Sequence, residues 1–347
     1  MNCELSMMNC ELRTIKLFLL CLLSLPLSAQ EGASSVLQNT TFGGYVIGQM
    51  SATDQPGVEK QTDMNLRLIR VYADSRLGDW AFKLQAQVNG NTSSLSSPRV
   101  VDAWAEWQHW SEFRIKFGQM KRPFTFENPM HPWLIGKGNY SQLTLKMAGF
   151  NDRTGEHASN GRDFGLQFQG DLLRSRSDGH AFLHYQVGVF TGQGINFSDR
   201  NTRKDIIGGI WVAPVKNLQV GAFGWTGNYV DDSKLTHERR RYSFGLNYTG
   251  SWTARAEYAV DNAEGKADAW YALVGTPEWK RSKVFLLYDV LREAKSWDNA
   301  HSIYGISAQH SLHKNLMLQL NYGFHARATA GSKRHYNTAD VQLYWRF

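Results

Sequence analysis

Ala339-Asp340-Val341-Gln342-Leu343-Tyr344-Trp345-Arg346-Phe347 closes the sequence with a strict two-residue alternation. Ala339, Val341, Leu343, Trp345 and Phe347 share one face, while Asp340, Gln342, Tyr344 and Arg346 share the other. Successive side chains point to opposite faces in a strand, so this is a β-strand with one apolar and one polar side. The pattern recurs in segments of roughly ten residues, the length a tilted strand needs to cross a bilayer. Apolar outside and polar inside, it predicts an all-β, transmembrane antiparallel β-barrel.

Sixteen segments carry the pattern. The clearest besides 339–347 are 80–88 and 242–248; good ones are 113–117, 164–170, 181–189, 218–224, 252–260 and 316–322. Weaker ones, which the spacing requires, are 42–50, 66–74, 101–108, 206–212, 269–274, 284–290 and 304–310. The connections alternate as such barrels demand, with short turns at one end and longer loops at the other. Short turns are expected at 75–78, 109–111, 171–179, 214–216, 249–250 and 311–314. Loops are expected at 51–64, 89–98, 121–160, 191–203, 226–238, 261–266, 292–301 and 325–334. The lipid face should include Phe82, Leu84, Phe244, Leu246, Leu318, Leu320, Leu343 and Trp345.

The forty-residue connection 121–160 is the third external loop and is too long for an ordinary link. Sixteen strands enclose an aqueous channel, and a long loop folded inward narrows it. Phe124, Phe126, Met130, Trp133, Leu134, Met147 and Phe150 equip this loop to pack on the inner wall.

Arg13 and Lys16 precede an apolar run over 17–27 and Ser28-Ala29-Gln30, a secretory signal peptide cleaved after Ala29. Met-Asn-Cys-Glu-Leu occurs at Met1 and again at Met8, which suggests an upstream start. The expected organisation is a signal peptide over 1–29, a short segment over 30–40 and a barrel domain over 41–347. Cys3, Cys10 and Cys21 all precede the cut, so the mature chain has no disulfide, thiolate metal site or cysteine nucleophile. No later stretch approaches the roughly twenty apolar residues of a spanning helix. Abundant Trp and Tyr suit interfacial girdles, and mean hydropathy is negative despite so many half-apolar strands.

Several short patterns, in order, carry a family resemblance. They are Leu66-Arg67-Leu68-Ile69-Arg70-Val71, Gly78-Asp79-Trp80-Ala81-Phe82-Lys83-Leu84, Val101-Asp102-Ala103-Trp104 and Arg114-Ile115-Lys116-Phe117-Gly118-Gln119-Met120-Lys121-Arg122-Pro123-Phe124. Asn160-Gly161-Arg162-Asp163-Phe164-Gly165-Leu166 and Tyr185-Gln186-Val187-Gly188-Val189-Phe190-Thr191-Gly192 follow. Together they resemble the phosphate-selective porin O and P family, of a Bacteroidetes type. The resemblance implies a sixteen-stranded, trimeric outer-membrane porin of a Gram-negative bacterium, with a basic lumen and no cofactor. Phosphate-selecting members tend to have adjacent arginines on the second strand, whereas here Ile69 stands beside Arg70. The implied partners are outer-membrane lipid and lipopolysaccharide, the barrel-assembly machinery and small hydrophilic or anionic solutes. Phe347 resembles the terminal aromatic by which that machinery recognises outer-membrane barrels.

Net charge is +7. Strand parity points Arg70, Lys83, Arg114, Lys116, Arg241, Arg255 and Arg346 inward, against Asp74, Asp102, Glu106, Asp163, Glu257, Asp289 and Asp340. The wall is thus nearly balanced. The long loop adds Lys121, Arg122, Lys137, Lys146 and Arg153 against Glu127, Asp152 and Glu156. Rings of Arg and Lys favour anions, so the expected function is passive diffusion with a weak anion preference. Arg239-Arg240-Arg241 is the one basic run, assigned to lipopolysaccharide phosphates or the pore mouth. Basic residues form no continuous stripe, which argues against nucleic acid.

Two other functions compete. Glu156-His157-Ala158-Ser159-Asn160-Gly161-Arg162 resembles the active-site stretch of outer-membrane phospholipase A, and on a strand His157 and Ser159 would share a face as base and nucleophile. A residue to orient the histidine is missing about a dozen positions on, at Gly170-Asp171-Leu172-Leu173. The other is a non-conducting structural or adhesive barrel. HExxH, phosphate-cradling and calcium-loop motifs are all absent from the sequence.

Overall fold

The closing strand of the sequence sits between the strand before it and the first strand of the fold. The computed structural model describes residues 38–88, 98–263 and 265–347, so the signal-peptide expectation lies outside the described residues. Sixteen strands follow in order: β1 Thr40–Thr53, β2 Thr62–Leu77, β3 Trp80–Gln87, β4 Arg99–Trp107, β5 Arg114–Lys121, β6 Arg162–Arg174, β7 Ala181–Phe190 and β8 Asp205–Val215. The second half is β9 Leu218–Val230, β10 Thr236–Thr249, β11 Thr253–Asp261, β12 Ala267–Gly275, β13 Ser282–Glu293, β14 Ala300–His313, β15 Leu316–Thr329 and β16 Ser332–Arg346. Each pairs antiparallel with its sequence neighbours, and β1 pairs with β16 to close the barrel. Among the described residues no helix is long and apolar enough to cross a membrane.

Leu84, Phe244, Leu320, Leu343 and Trp345 are exposed on the outer wall, while Arg241, Gln319 and Gln342 on the same strands are buried inside. Placing aspartate at Leu84 puts a charge in hydrocarbon and should cost about 2 kcal/mol. Lys83→Gln only loses a half-exposed pair with Asp74 and should cost less than about 1 kcal/mol. Urea titrations in detergent would compare them; equal losses would reverse the assigned faces.

Several strands run past their expected ends. The loop expected at 226–238 shrinks to 231–235, and that at 325–334 shrinks to Ala330 and Gly331. Beyond the bilayer both faces are wet, so the strand continues without alternation. Phe347 lies past β16, yet its N–H and C=O exchange hydrogen bonds with Gly44 at 3.1 and 3.0 Å. Its ring fills the space that a Cβ on Gly44 would occupy, 2.5 Å from the ring edge.

Candidate functional site in the barrel lumen

Residues 122–161 fold into the barrel and line its β8–β13 side. Glu257 on β11 accepts the Phe126 and Glu127 N–H groups, the former at 2.6 Å and the latter at 2.9 Å. A short helix, α1 Gln142–Met147, begins where the Ser141 hydroxyl accepts the Thr144 N–H. Its Gln142 N–H reaches Asp289 on β13 at 2.9 Å, and Arg255 donates to the Leu134 and Ile135 carbonyls. Phe124, Phe126, Leu143 and Met147 pack with Phe223, Trp225, Tyr271 and Phe285 of the wall. Burial opposes ionisation of Glu127, but Lys137 at 2.8 Å and the Ser141 hydroxyl outweigh it and hold the carboxyl below its ordinary value.

A buried ion network bolts both ends of the loop. Arg122 forks onto Glu156 and reaches Asp163, all at 3.0 Å. Arg239 joins Glu156 to Asp205, and Arg241 joins Asp152 to Asp261. These three guanidiniums lie 4.7 to 5.0 Å from the buried ring of Trp225. Gly149, at φ +89°, leaves room for Arg122; a Cβ there would sit 2.1 Å from the guanidinium.

The expected positions therefore part company. Arg122 is a fully buried clamp and cannot face solutes, which corrects its assignment as a pore charge. Arg153 is paired with Asp261 and Glu293 near the loop end, and Arg114 with Asp171. Lys146 is half-buried on α1. The basic run is also corrected: Arg239 and Arg241 point inward into the network, and only Arg240 faces out. His157 and Ser159 are not on a strand. The Ser159 hydroxyl donates to Glu156 at 2.6 Å, and His157 Nε2 meets the Ile195 carbonyl, so the pair is not a base and nucleophile.

Arg70, Lys83, Asp102, Lys116 and Lys121 do come together around one cavity of about 530 Å³ between the loop and β1–β6. Arg162 and Arg346 join them, giving six cations against Asp74 and Asp102. Lys83 pairs with Asp74, Lys116 with Glu106 and Arg162 with Asp102. A second cavity of about 530 Å³ on the loop side shares Arg70 and adds Arg67 and Arg99. His131 and Pro132 of the loop face this wall, and burial with Arg70 and Arg346 nearby pushes the His131 ring down to about 4. It is neutral at pH 7, and its Nδ1 accepts the Trp133 N–H at 3.1 Å.

Arg67 and Arg99 escaped parity because of two bulges. Ile47 faces Leu68 and Gly48 faces Leu66, which leaves Arg67 as the extra residue in β2. Gln85 faces Asp102 while Ala86 faces Val100, so Val101 is extra in β4. A bulge shifts the parity of everything beyond it, so Arg67 and Arg70, three apart, both reach the lumen. The glycine-free β2 sequence carries no mark of this.

Arg67, Arg70, Arg99, Lys121 and Arg346 have no ion-pair partner among the described residues. Arg67 donates to Gln342 and Asn139, Arg70 to Tyr45 and Gln87, and Arg99 to the Ala158 carbonyl. Lys121 lies over the rings of Tyr140 and Phe150, and Arg346 is 3.9 Å from that of Trp133. One wall of the lumen thus keeps its positive charge. Opposite, Glu257 and Asp289 accept loop N–H groups.

Solved structures share this architecture. An anion-selective porin from Comamonas acidovorans superposes with a TM-score of 0.66 at 13% identity, over 89% of this chain and 99% of that one. The trimer form of OmpT, an outer membrane protein from Vibrio cholerae, gives 0.60 at 10% identity over 89% and 99%. The outer membrane channel DcaP of Acinetobacter baumannii gives 0.59 at 13% identity over 89% and 97%. At these identities the likeness is one of fold. No curated protein matches the chain in sequence. The pattern of one family, phosphate-selective porin O and P, matches residues 47–274, from within β1 to the end of β12. With that match over more than half its length, and a closed sixteen-stranded barrel around a basic lumen, the chain belongs to the phosphate-selective porin O and P family.

Proposed function

We propose that this porin is a passive outer-membrane channel of a Gram-negative bacterium for small hydrophilic solutes, with a weak preference for anions. The observation that carries the reading is the segregation of charge across the lumen. Five cations without carboxylate partners face the open side, while on the opposite side loop N–H groups donate to Glu257 and Asp289. The loop narrows the channel to the space between its Pro132 and Tyr140 and the β2 arginines. Each arginine already holds protein acceptors, so phosphate exchanges with them and passes on and is not held tightly. In this reading the barrel works as a homotrimer in lipid and lipopolysaccharide, inserted by the barrel-assembly machinery, with Phe347 as its recognition residue.

Planar-bilayer reversal potentials in asymmetric salt test it. Arg70→Glu with Lys121→Glu should move selectivity toward cations, most strongly near 0.01 M salt and weakly at 1 M, as the Debye length falls from about 30 to about 3 Å. Unchanged reversal potentials would remove these residues from the pathway. Deleting Phe347 removes the last backbone pair with Gly44 and should reduce the amount of barrel in the outer membrane severalfold; normal levels by membrane fractionation would contradict its assembly role.

A further inference from the structure

The tip of the long loop divides the lumen. The Gly138 carbonyl accepts from the Gln342 amide at 3.1 Å, and Asn139 Oδ1 accepts from Arg67 at 3.0 Å. Residues 138–139 thereby touch the wall where β16, β1 and β2 meet. The basic cavities lie on one side of this bridge. On the other, between the loop and β13–β16, is a cavity of about 330 Å³ with different chemistry. We propose that this cavity is a second lane, one that takes neutral polyhydroxylated solutes, sugars and sugar alcohols of monosaccharide size.

Two cations, Arg67 and Lys137, line it together with two acids, Asp289 and Asp340. All four are engaged by protein groups. Lys137 pairs with Glu127 at 2.8 Å, and Asp340 accepts from Asn321 at 2.8 Å and from Gln342 at 2.7 Å. An anion therefore gains no net attraction here, unlike beside Arg70 and Lys121. What the lining offers is a chain of amides and a hydroxyl. Ser307, Asn321, Gln49 and Gln342 line it; Gln319, fully buried behind them, donates to Ser307 and Asn321, and Gln342 donates to Gln49. Amides both donate and accept, as a solute hydroxyl does, whereas arginine only donates. Facing this rim, Leu273, Phe285, Leu287 and Ile303 make an apolar floor. A pyranose ring or an extended polyol has the same two-sided character, with hydroxyls at its edge and C–H groups on its faces. At the small end of the roughly 300–1,000 Å³ range of ligand sites, the cavity suits one sugar unit.

The inference rests on the channel reading, and the test separates the two. Proteoliposomes holding the full chain are followed by swelling in isotonic glucose, and the same protein by chloride conductance in planar bilayers. Ser307→Trp fills the cavity from β14, away from the basic wall. It should slow glucose swelling about fivefold or more while chloride conductance stays within about twofold. If Ser307→Trp does not insert, the Arg70→Glu, Lys121→Glu protein serves instead; its ion selectivity should change while its glucose rate holds. Glucose and chloride flux falling together in either variant would show a single lane and overturn the proposal. Chloride conduction without glucose swelling in the unaltered protein would overturn it too, leaving the channel intact. A protein that passes neither overturns the channel reading itself.

Discussion

Arg122→Ala should destabilise the barrel by about 3–5 kcal/mol, because it strands the buried carboxylates Glu156 and Asp163. Burial opposes ionisation of Glu156, yet Arg122 and Arg239 outweigh it and keep the carboxyl below its ordinary value. Without Arg122 only Arg239 remains to balance it. The expected phenotype is a lower urea midpoint in detergent and new protease cleavage within residues 122–161. Arg122→Glu would add another acid to the cluster and should prevent folding outright. A stable Arg122→Glu barrel with altered selectivity would mean that Arg122 lines the pore after all.

Removing residues 129–148 should raise single-channel conductance about two- to fivefold and move the selectivity toward cations. The deletion leaves the Arg122 and Arg241 clamps in place, so the barrel itself should persist. It takes out α1, Pro132, Lys137 and Tyr140, which face the basic wall or cover the acidic one. Asp289 then loses the Gln142 N–H and meets water as a free charge. A reversal to cation preference distinguishes this from simple widening, which would only weaken the anion preference. Conductance unchanged by the deletion would place the loop outside the permeation path.

Strand positions were legible because the membrane enforces them. Leu343 and Trp345 must face lipid and Gln342 must not, and that contrast is written into neighbouring residues. Strand ends were not legible, since His237, Glu238 and Arg239 on β10 lie where either face can be polar. Arg67 and Arg99 were hidden because a bulge is set by pairing between strands, not by the strand's own residues. Whether a charge is free was hidden for a similar reason. Arg122 and Lys121 are adjacent, yet one is locked by Glu156 and Asp163, 34 and 41 positions away, while the other stays open to the lumen. The inward fold of the loop was legible in its apolar residues; the wall it would cover, and so the sign of what remained open, depended on Glu257 more than a hundred positions further on.

The pairing of Tyr45 with Arg346 joins residues 301 positions apart (346 − 45), so the first strand made waits for the last. Until then β1 and β16 are two raw edges, each able to recruit a neighbouring molecule in place of its proper partner. Entropy is a minor obstacle to closure, since each doubling of a loop costs only about 0.6 kcal/mol. The hazard lies in time. A newly made chain has no harmless halfway form, and fifteen correct pairings leave it as sticky as one. Its journey therefore calls for an escort that masks both edges and lets go only when they can meet.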